Sequence, residues 1–409
     1  MDHAELLRRF QPQLRYDSQE AFFADSAAEW TDNPGNVLRR RYVEGEEGAL
    51  IAATDAKAGE QKLTLDFLGH PRYADGTEAD DEDLISSPLR DYRRRYAELR
   101  SRPGYANVMY GRAKEDSDGR LWLQYWLYYF YNDYNLAGGA GLHEGDWEMV
   151  QLRIGPEGDH PDLAVYAQHK HAGQASWAEV ERDAENPDTP LVYVGRGSHA
   201  SYFHAGYHET EAWYDLADGK RKAPKLRLEI IGEPLPGWLR WRGRWGDTQP
   251  RIPGLHQPSP RGPLPHKQWD DPKKLVEDAV VAKRPEALPR PEVSIERRSE
   301  RLWLAFDFSG RAGGRPERLV VTVNSVDDKL PPRTYTFALE PAVRGSLHTD
   351  IELATAKRYD IYVSTVDADG RPSESVLVYP EEPAAKAKLW QRLHSWLRDG
   401  IARLRGDRS

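Results

Sequence analysis

Apolar and polar positions along the chain fall into short runs broken by Gly, Pro and Asp, a rhythm that reads as strands more often than as helices. The opening segment ELLRRFQPQLRYDSQEAFFADSAAEW begins differently: an amphipathic helical start leads to Pro12, after which Leu14 and Tyr16 alternate with Arg15 and Asp17 as in a strand. KLTLDFL, residues 62–68, alternates cleanly and predicts another strand. In DYRRRYAELRSRPGY, residues 91–105, Tyr92, Tyr96 and Leu99 stand at helical spacing ahead of Pro103, which predicts a surface helix. LWLQYWLYYFYNDYN, residues 121–135, is nearly all aromatic or aliphatic and predicts a buried strand. WEMVQLRI, DLAVYAQH and PLVYVGRG continue the series of short strands.

Two proline-rich stretches, QPSPRGPLP at 257–265 and KRPEALPRP at 283–291, bracket a boundary. Beyond it, SERLWLAFDFSG, ERLVVTVNS, RTYTFAL and RYDIYVSTVDADGRPSESVLVY are spaced as strands of a compact β-sandwich of roughly 90 residues. The chain then ends on AAKAKLWQRLHSWLRDGIARLRGDRS, with Leu389, Trp390, Leu393, Leu397, Ile401 and Leu404 at helical spacing and Lys or Arg on the other face. The expected fold class is therefore mainly β: a β-sandwich over 1–272 with helical insertions, a linker over 273–291, a small sandwich over 292–381 and a basic amphipathic helix over 382–409.

Composition narrows the chemistry. The chain has 409 residues, enough for two or three cores, and a net charge of -9, which gives no reason to expect nucleic acid as a partner. With no cysteine, disulfides, thiolate metal sites and cysteine nucleophiles are all excluded. The start MDHAELLRRFQPQLRY lacks the basic head and apolar core of a secretory signal, and no run is long enough to span a bilayer, so the expectation is a cytoplasmic protein whose membrane contact, if any, is peripheral. The 13 Trp and 21 Tyr against 9 Phe suit half-buried sheet faces, glycan contacts or interfaces.

The densest polar cluster is HEGDWEMVQLRI, residues 143–154. On a strand, Asp146 and Glu148 point to one face and Trp147 to the other. His143, on the Gly-rich approach, folds back toward them. Two close carboxylates repel unless a cation or a proton intervenes, and with one imidazole they form an oxygen-rich set suited to Mg²⁺ or Ca²⁺ ahead of Mn²⁺ or Zn²⁺. A loop of capping side chains is the alternative. The segment is not H-E-x-x-H, because Trp147 stands where the second His belongs, and GRGSHASYF is not G-x-S-x-G, because Arg196 and Ala200 replace its glycines. His169, His171, His199, His204 and His208 lie within two nearby segments, and His199, in a Gly-led turn, is the candidate for an additional ligand or outer contact.

Four segments, RFQPQLRYDSQEAFFADS, the aromatic run ending in YND before HEGDWE, GRGSHASYF, and GRWGDT with SPRGP and HKQW, resemble the vacuolar protein sorting-associated protein 62 family over about residues 5–272. That family's molecular activity is poorly defined. HEGDWE is also similar to the GHRHDWE heptad of necrosis- and ethylene-inducing-like cytolysins, which have a β-sandwich and bind a divalent cation near sphingolipid head groups. That resemblance implies metal ligation by His143, Asp146 and Glu148, with an upstream ligand at Asp133 or Asn135. Leu142 and Gly145 depart from the heptad. RYDIYVSTVDADGRPSESVLV resembles the last hairpin of fibronectin type III modules, which are commonly spacers or docking surfaces.

Together these readings lead to a noncatalytic protein holding a divalent cation and binding a lipid head group, glycan or membrane surface. Trp390, Trp396, Arg392 and Arg398 of the last helix are the expected membrane contacts. One alternative is a metal-dependent hydrolase with Glu144 or Glu148 as general base. Another is a structural or interaction protein without metal. No protein partner is legible.

Overall fold

The computed structural model describes residues 2–380 apart from 41–47, 71, 88–90, 135–140, 210–213, 224–225, 249–257, 278, 282–290, 299, 308–315, 328–331, 340–343, 355–356 and 369–372. The chain is mainly β and divides into two compact units, Met1–Arg284 and Pro285–Ser409.

The first unit is built on a seven-stranded sheet. Its spatial order is Arg227–Ile230, Val108–Glu115, Leu121–Asn132, His143–Ile154, Pro161–Gln168, His171–Ser176 and Ala279–Val281. The inner pairings are antiparallel, and the two outermost strands add in parallel. Leu121–Asn132 is the aromatic strand the sequence predicts, buried along almost its whole length. A strand buried on both faces needs cover on both sides, and its side chains show where that cover lies. Tyr125 donates from its hydroxyl to the Leu7 carbonyl of the first helix, and Phe130 meets the edge of Trp30. Trp126 packs on Trp269.

A second sheet joins Ser201–Tyr202, Leu191–Val194, Gln13–Tyr16 and Arg221–Lys222, so that the N-terminal strand lies parallel to Leu191–Val194. A two-stranded ribbon, Gly206–Glu209 with Tyr214–Ala217, follows the loop 195–200. The predicted surface helix forms as Tyr92–Arg100, with Asp91 capping its first turn and Tyr96 and Leu99 buried.

Two expectations differ from the structure. KLTLDFL does not form a strand: Thr64 Oγ1 accepts from the Phe67 N–H at 3.1 Å and starts a single helical turn, Leu65–Leu68, that buries Phe67 and Leu68. The side-chain cap outcompetes the alternating pattern, which here extends over too few residues to fix a ladder. Residues 273–281, expected as linker, carry a helix at Lys273–Glu277 and the strand Ala279–Val281, which pairs with His171–Ser176 inside the first unit.

The second unit has two sheets on one apolar core. Val293–Arg298, Arg301–Asp307 and Arg344–Glu352 form one, and Arg333–Ala338, Arg318–Ser325, Tyr359–Val366 and Val376–Pro380 form the other. Leu302, Leu304, Leu319, Val321, Ile351, Leu353, Ile361 and Val363 are the fully enclosed centre. The predicted basic helix over 382–409, with Trp390, Arg392, Trp396 and Arg398, lies outside the described residues.

Candidate functional site

The strand His143–Ile154 runs antiparallel to the aromatic strand, with Leu127 opposite Glu148, Tyr129 opposite Asp146 and Tyr131 opposite Glu144. Directly paired residues share a sheet face, so Glu144, Asp146 and Glu148 lie in one row with Tyr131, Tyr129 and Leu127. Trp147 is on the other face, in ring contact with Tyr110, Tyr128, Trp238 and Trp245. Trp241 joins this cluster through Trp245. Gly145 stands between the rows at a positive φ of 58°, and a Cβ there would fall 2.3 Å from the Trp245 carbonyl oxygen. Only glycine fits so close an approach in that conformation.

The three carboxylates of the row meet three different environments. Glu144 is buried and accepts hydrogen bonds from Tyr92 Oη at 2.6 Å, the Ser87 N–H at 3.0 Å and the Asp247 N–H at 3.1 Å. Burial still prevails and pushes its pKa up to about 8. Asp146 accepts from His199 Nδ1 at 2.9 Å. Glu148 is half-buried, with no hydrogen-bond or ion-pair partner among the described residues. Desolvation, with the nearby carboxylates of Asp146 and Asp215, raises it well above the usual carboxylate range.

His199 is fully buried at a positive φ of 59°, and its ring lies flat on Tyr129, 3.8 Å between ring centres. Burial opposes its charge, but Asp146 and Glu20 outweigh burial and push its pKa up to about 9. Glu20 Oε1 stands 3.9 Å from Nε2, within ion-pair reach and beyond a hydrogen bond. Glu20 itself is held by the backbone N–H groups of Ala21, Phe22 and Gly197. The His199 imidazolium thus supplies positive charge to Asp146 and Glu20 from within the protein.

A second imidazole–carboxylate pair lies beside the first. His169, also left-handed at φ 55°, donates from Nε2 to Asp215 Oδ2 at 2.8 Å, and Tyr202 donates to the same oxygen. Burial lowers the His169 pKa, but Asp215 reverses the shift and leaves it raised. Two bulky residues at positive φ in one region are uncommon and mark backbone held by its surroundings. His143 is buried, and its Nδ1 donates to the Gly145 carbonyl at 2.9 Å, which leaves the lone pair on Nε2. Burial lowers its pKa and Asp146 partly offsets this.

Of the sequence-predicted residues, His143, Asp146, Glu148 and His199 fall within one electrostatically coupled region. Asp133 does not join them. It pairs with Arg93 of the helix Tyr92–Arg100, whose Nε donates to Oδ2 at 2.9 Å, and a carboxylate already paired with a guanidinium has little left for a cation. Asn135 lies outside the described residues. Among the described residues no group of three or more His, Asp or Glu is gathered to hold a metal ion. No described helix is long and apolar enough to cross a membrane. Sequence reading missed Glu20, Asp215 and Tyr202, and noted His169 only as one of five nearby histidines, with His199 preferred. His169 sits at a hairpin tip and Asp215 in an ordinary strand, so only their meeting in space singles them out.

No family model matches the chain, and no curated protein matches it. The resemblances to the sorting-associated family and to fibronectin type III modules therefore find no support in these comparisons. Among solved structures, the chain is similar to necrosis- and ethylene-inducing protein 2 from the causal agent of cocoa's witches' broom disease. The TM-score is 0.27 and the identity 13%, covering 56% of this chain and 79% of that one. A myokine structure aligns at a TM-score of 0.18 and 14% identity, over 22% of this chain and 96% of that one.

Proposed function

We propose that this chain is a noncatalytic binding protein whose first unit takes a divalent cation at Asp146 and Glu148, with His143 Nε2 as the nitrogen ligand, and through it a polar head group or glycan. The observation that carries this reading is Glu148: a half-buried carboxylate, set near Asp146 and Asp215, with no donor or cation of its own among the described residues. A hard cation such as Mg²⁺ or Ca²⁺ would relieve that repulsion, with water completing the shell. The tautomer of His143 is compatible with ligation, since a ligating histidine commonly donates its other ring N–H to a carbonyl. The fit is partial: among the described residues no three His, Asp or Glu are gathered to hold a metal ion, so ligation would need these side chains to draw together, and Asp146 is engaged by His199 and Asp133 by Arg93.

Metal analysis of the purified protein, followed by calorimetric titration of Mg²⁺ and Ca²⁺ into wild type and Glu148→Gln, tests the cation. Flotation with liposomes of stated composition, with and without chelator, tests the head group. Binding of neither cation, or chelator-insensitive flotation, overturns the reading.

A second reading is favoured by His199: its imidazolium neutralises Asp146 and Glu20 internally, as expected of a metal-free folding motif. A melting temperature indifferent to divalent ions would select it. A hydrolase would have to use Glu148 as its base, because three donors already engage Glu144.

For the architecture, we favour a β-sandwich arrangement in the first unit and a fibronectin type III-like second unit. The latter is supported by a three-plus-four division of strands in which the first, second and fifth pair in one sheet and the rest in the other. The segment 382–409 is proposed as the accessory membrane contact.

A further inference from the structure

GRGSHASYFHAGYH contributes two histidines that the site above does not use. His204 and His208 flank the start of the ribbon strand Gly206–Glu209, and both are half-buried. His204 Nδ1 lies 3.1 Å from the Ala205 carbonyl oxygen and donates to it, which places the ring's lone pair on Nε2. His208 Nε2 donates to the His204 carbonyl at 3.0 Å, which places its lone pair on Nδ1. The His208 ring also lies flat on Tyr202, 3.8 Å between centres and 7° between planes, so its orientation is fixed on two sides.

The two rings are 4.8 Å apart between centres and inclined at 41°. Imidazoles sharing one tetrahedral or square-planar ion at ordinary metal–nitrogen lengths have ring centres roughly 4.5–5.3 Å apart. We infer that His204 and His208 form a two-imidazole site for a late first-row transition ion such as Zn²⁺, with water in the remaining positions. Each ring has one N–H anchored on a backbone carbonyl, the arrangement that commonly orients ligating histidines. Nitrogen donors favour Zn²⁺ and its neighbours over Mg²⁺ or Ca²⁺, so this site differs in preference from the carboxylate-rich one at Asp146 and Glu148.

The test is titration of the full chain with Zn²⁺ by calorimetry, with Co²⁺ as a visible-absorption probe of nitrogen ligation. His204→Gln and His208→Gln should each weaken Zn²⁺ binding at least about tenfold, and the Co²⁺ ligand-field band should fall with them. Because His208 packs on Tyr202 and its loss could disturb the fold, His204→Gln is the decisive variant, with near-ultraviolet circular dichroism as the check on folding. Wild-type affinity in a folded His204→Gln protein, or no Zn²⁺ uptake by wild type below about 100 μM, overturns the proposal.

Discussion

Glu144 and Glu148 stand on one face of one strand, and their environments could hardly differ more. The first is buried and satisfied: a tyrosine hydroxyl and two backbone N–H groups converge on its carboxyl and tie the strand to residue 87, to the helix Tyr92–Arg100 and to residue 247. The second is set near two other carboxylates with nothing to donate to it among the described residues. Burial raises the pKa of both, so a perturbed carboxylate alone does not distinguish a brace from a binding group. The partners do.

The hinge between the two environments is Gly145. Gly145→Ala, which drives a methyl into the Trp245 backbone at a positive φ, should have the largest effect, at least about 4 kcal/mol or no folded protein, measured by urea unfolding. Next comes Glu144→Ala, which removes the acceptor of two buried backbone donors and one half-buried tyrosine hydroxyl and should cost about 2–4 kcal/mol. An equal loss from Glu148→Ala would erase the comparison.

The pH dependence has the same sign for both carboxyls, since both pKa values are raised. A carboxyl whose pKa rises from 4.5 unfolded to about 8 folded binds its proton more tightly in the native state. Its contribution to stability is therefore complete below the unfolded pKa and is lost as pH rises through the folded one. Unfolding free energy measured between pH 4.5 and 8 should decline less steeply in Glu144→Gln than in wild type. The smallest stability change belongs to Glu148→Gln, within about 1 kcal/mol of wild type, since it removes like-charge repulsion and no hydrogen bond. If it instead destabilises by several kcal/mol, Glu148 is a structural brace as well.

What could be read from the sequence was whatever depends on neighbours along the chain. The aromatic run over 121–132 is a strand because its composition admits little else, and the row of Asp146 and Glu148 opposite Trp147 follows from the two-residue period of a strand. The environment of Glu144 is not legible in the same segment. Its donors come from residues 87, 92 and 247, and no local pattern announces them. Asp133 likewise sits where a family motif would place a ligand, yet Arg93, forty positions earlier, takes it. His199 was legible as the residue of a Gly-led turn, whereas Glu20, which completes its charge balance, lay in a segment read only for strand and helix. Charge networks close through space, and a single sequence carries little trace of which distant residues will meet.

The indoles on the opposite face of the strand give these tests an optical handle. Trp147, Trp238, Trp241 and Trp245 lie in successive ring contact, close enough for their excited states to couple. Such an array gives a strong, structured near-ultraviolet dichroism that vanishes when the rings separate. Trp147 is flanked in sequence by Asp146 and Glu148, so an ion bound on one side of the sheet should register as a spectral change on the other. The protein carries its own reporter for the chemistry proposed here, with no label to attach.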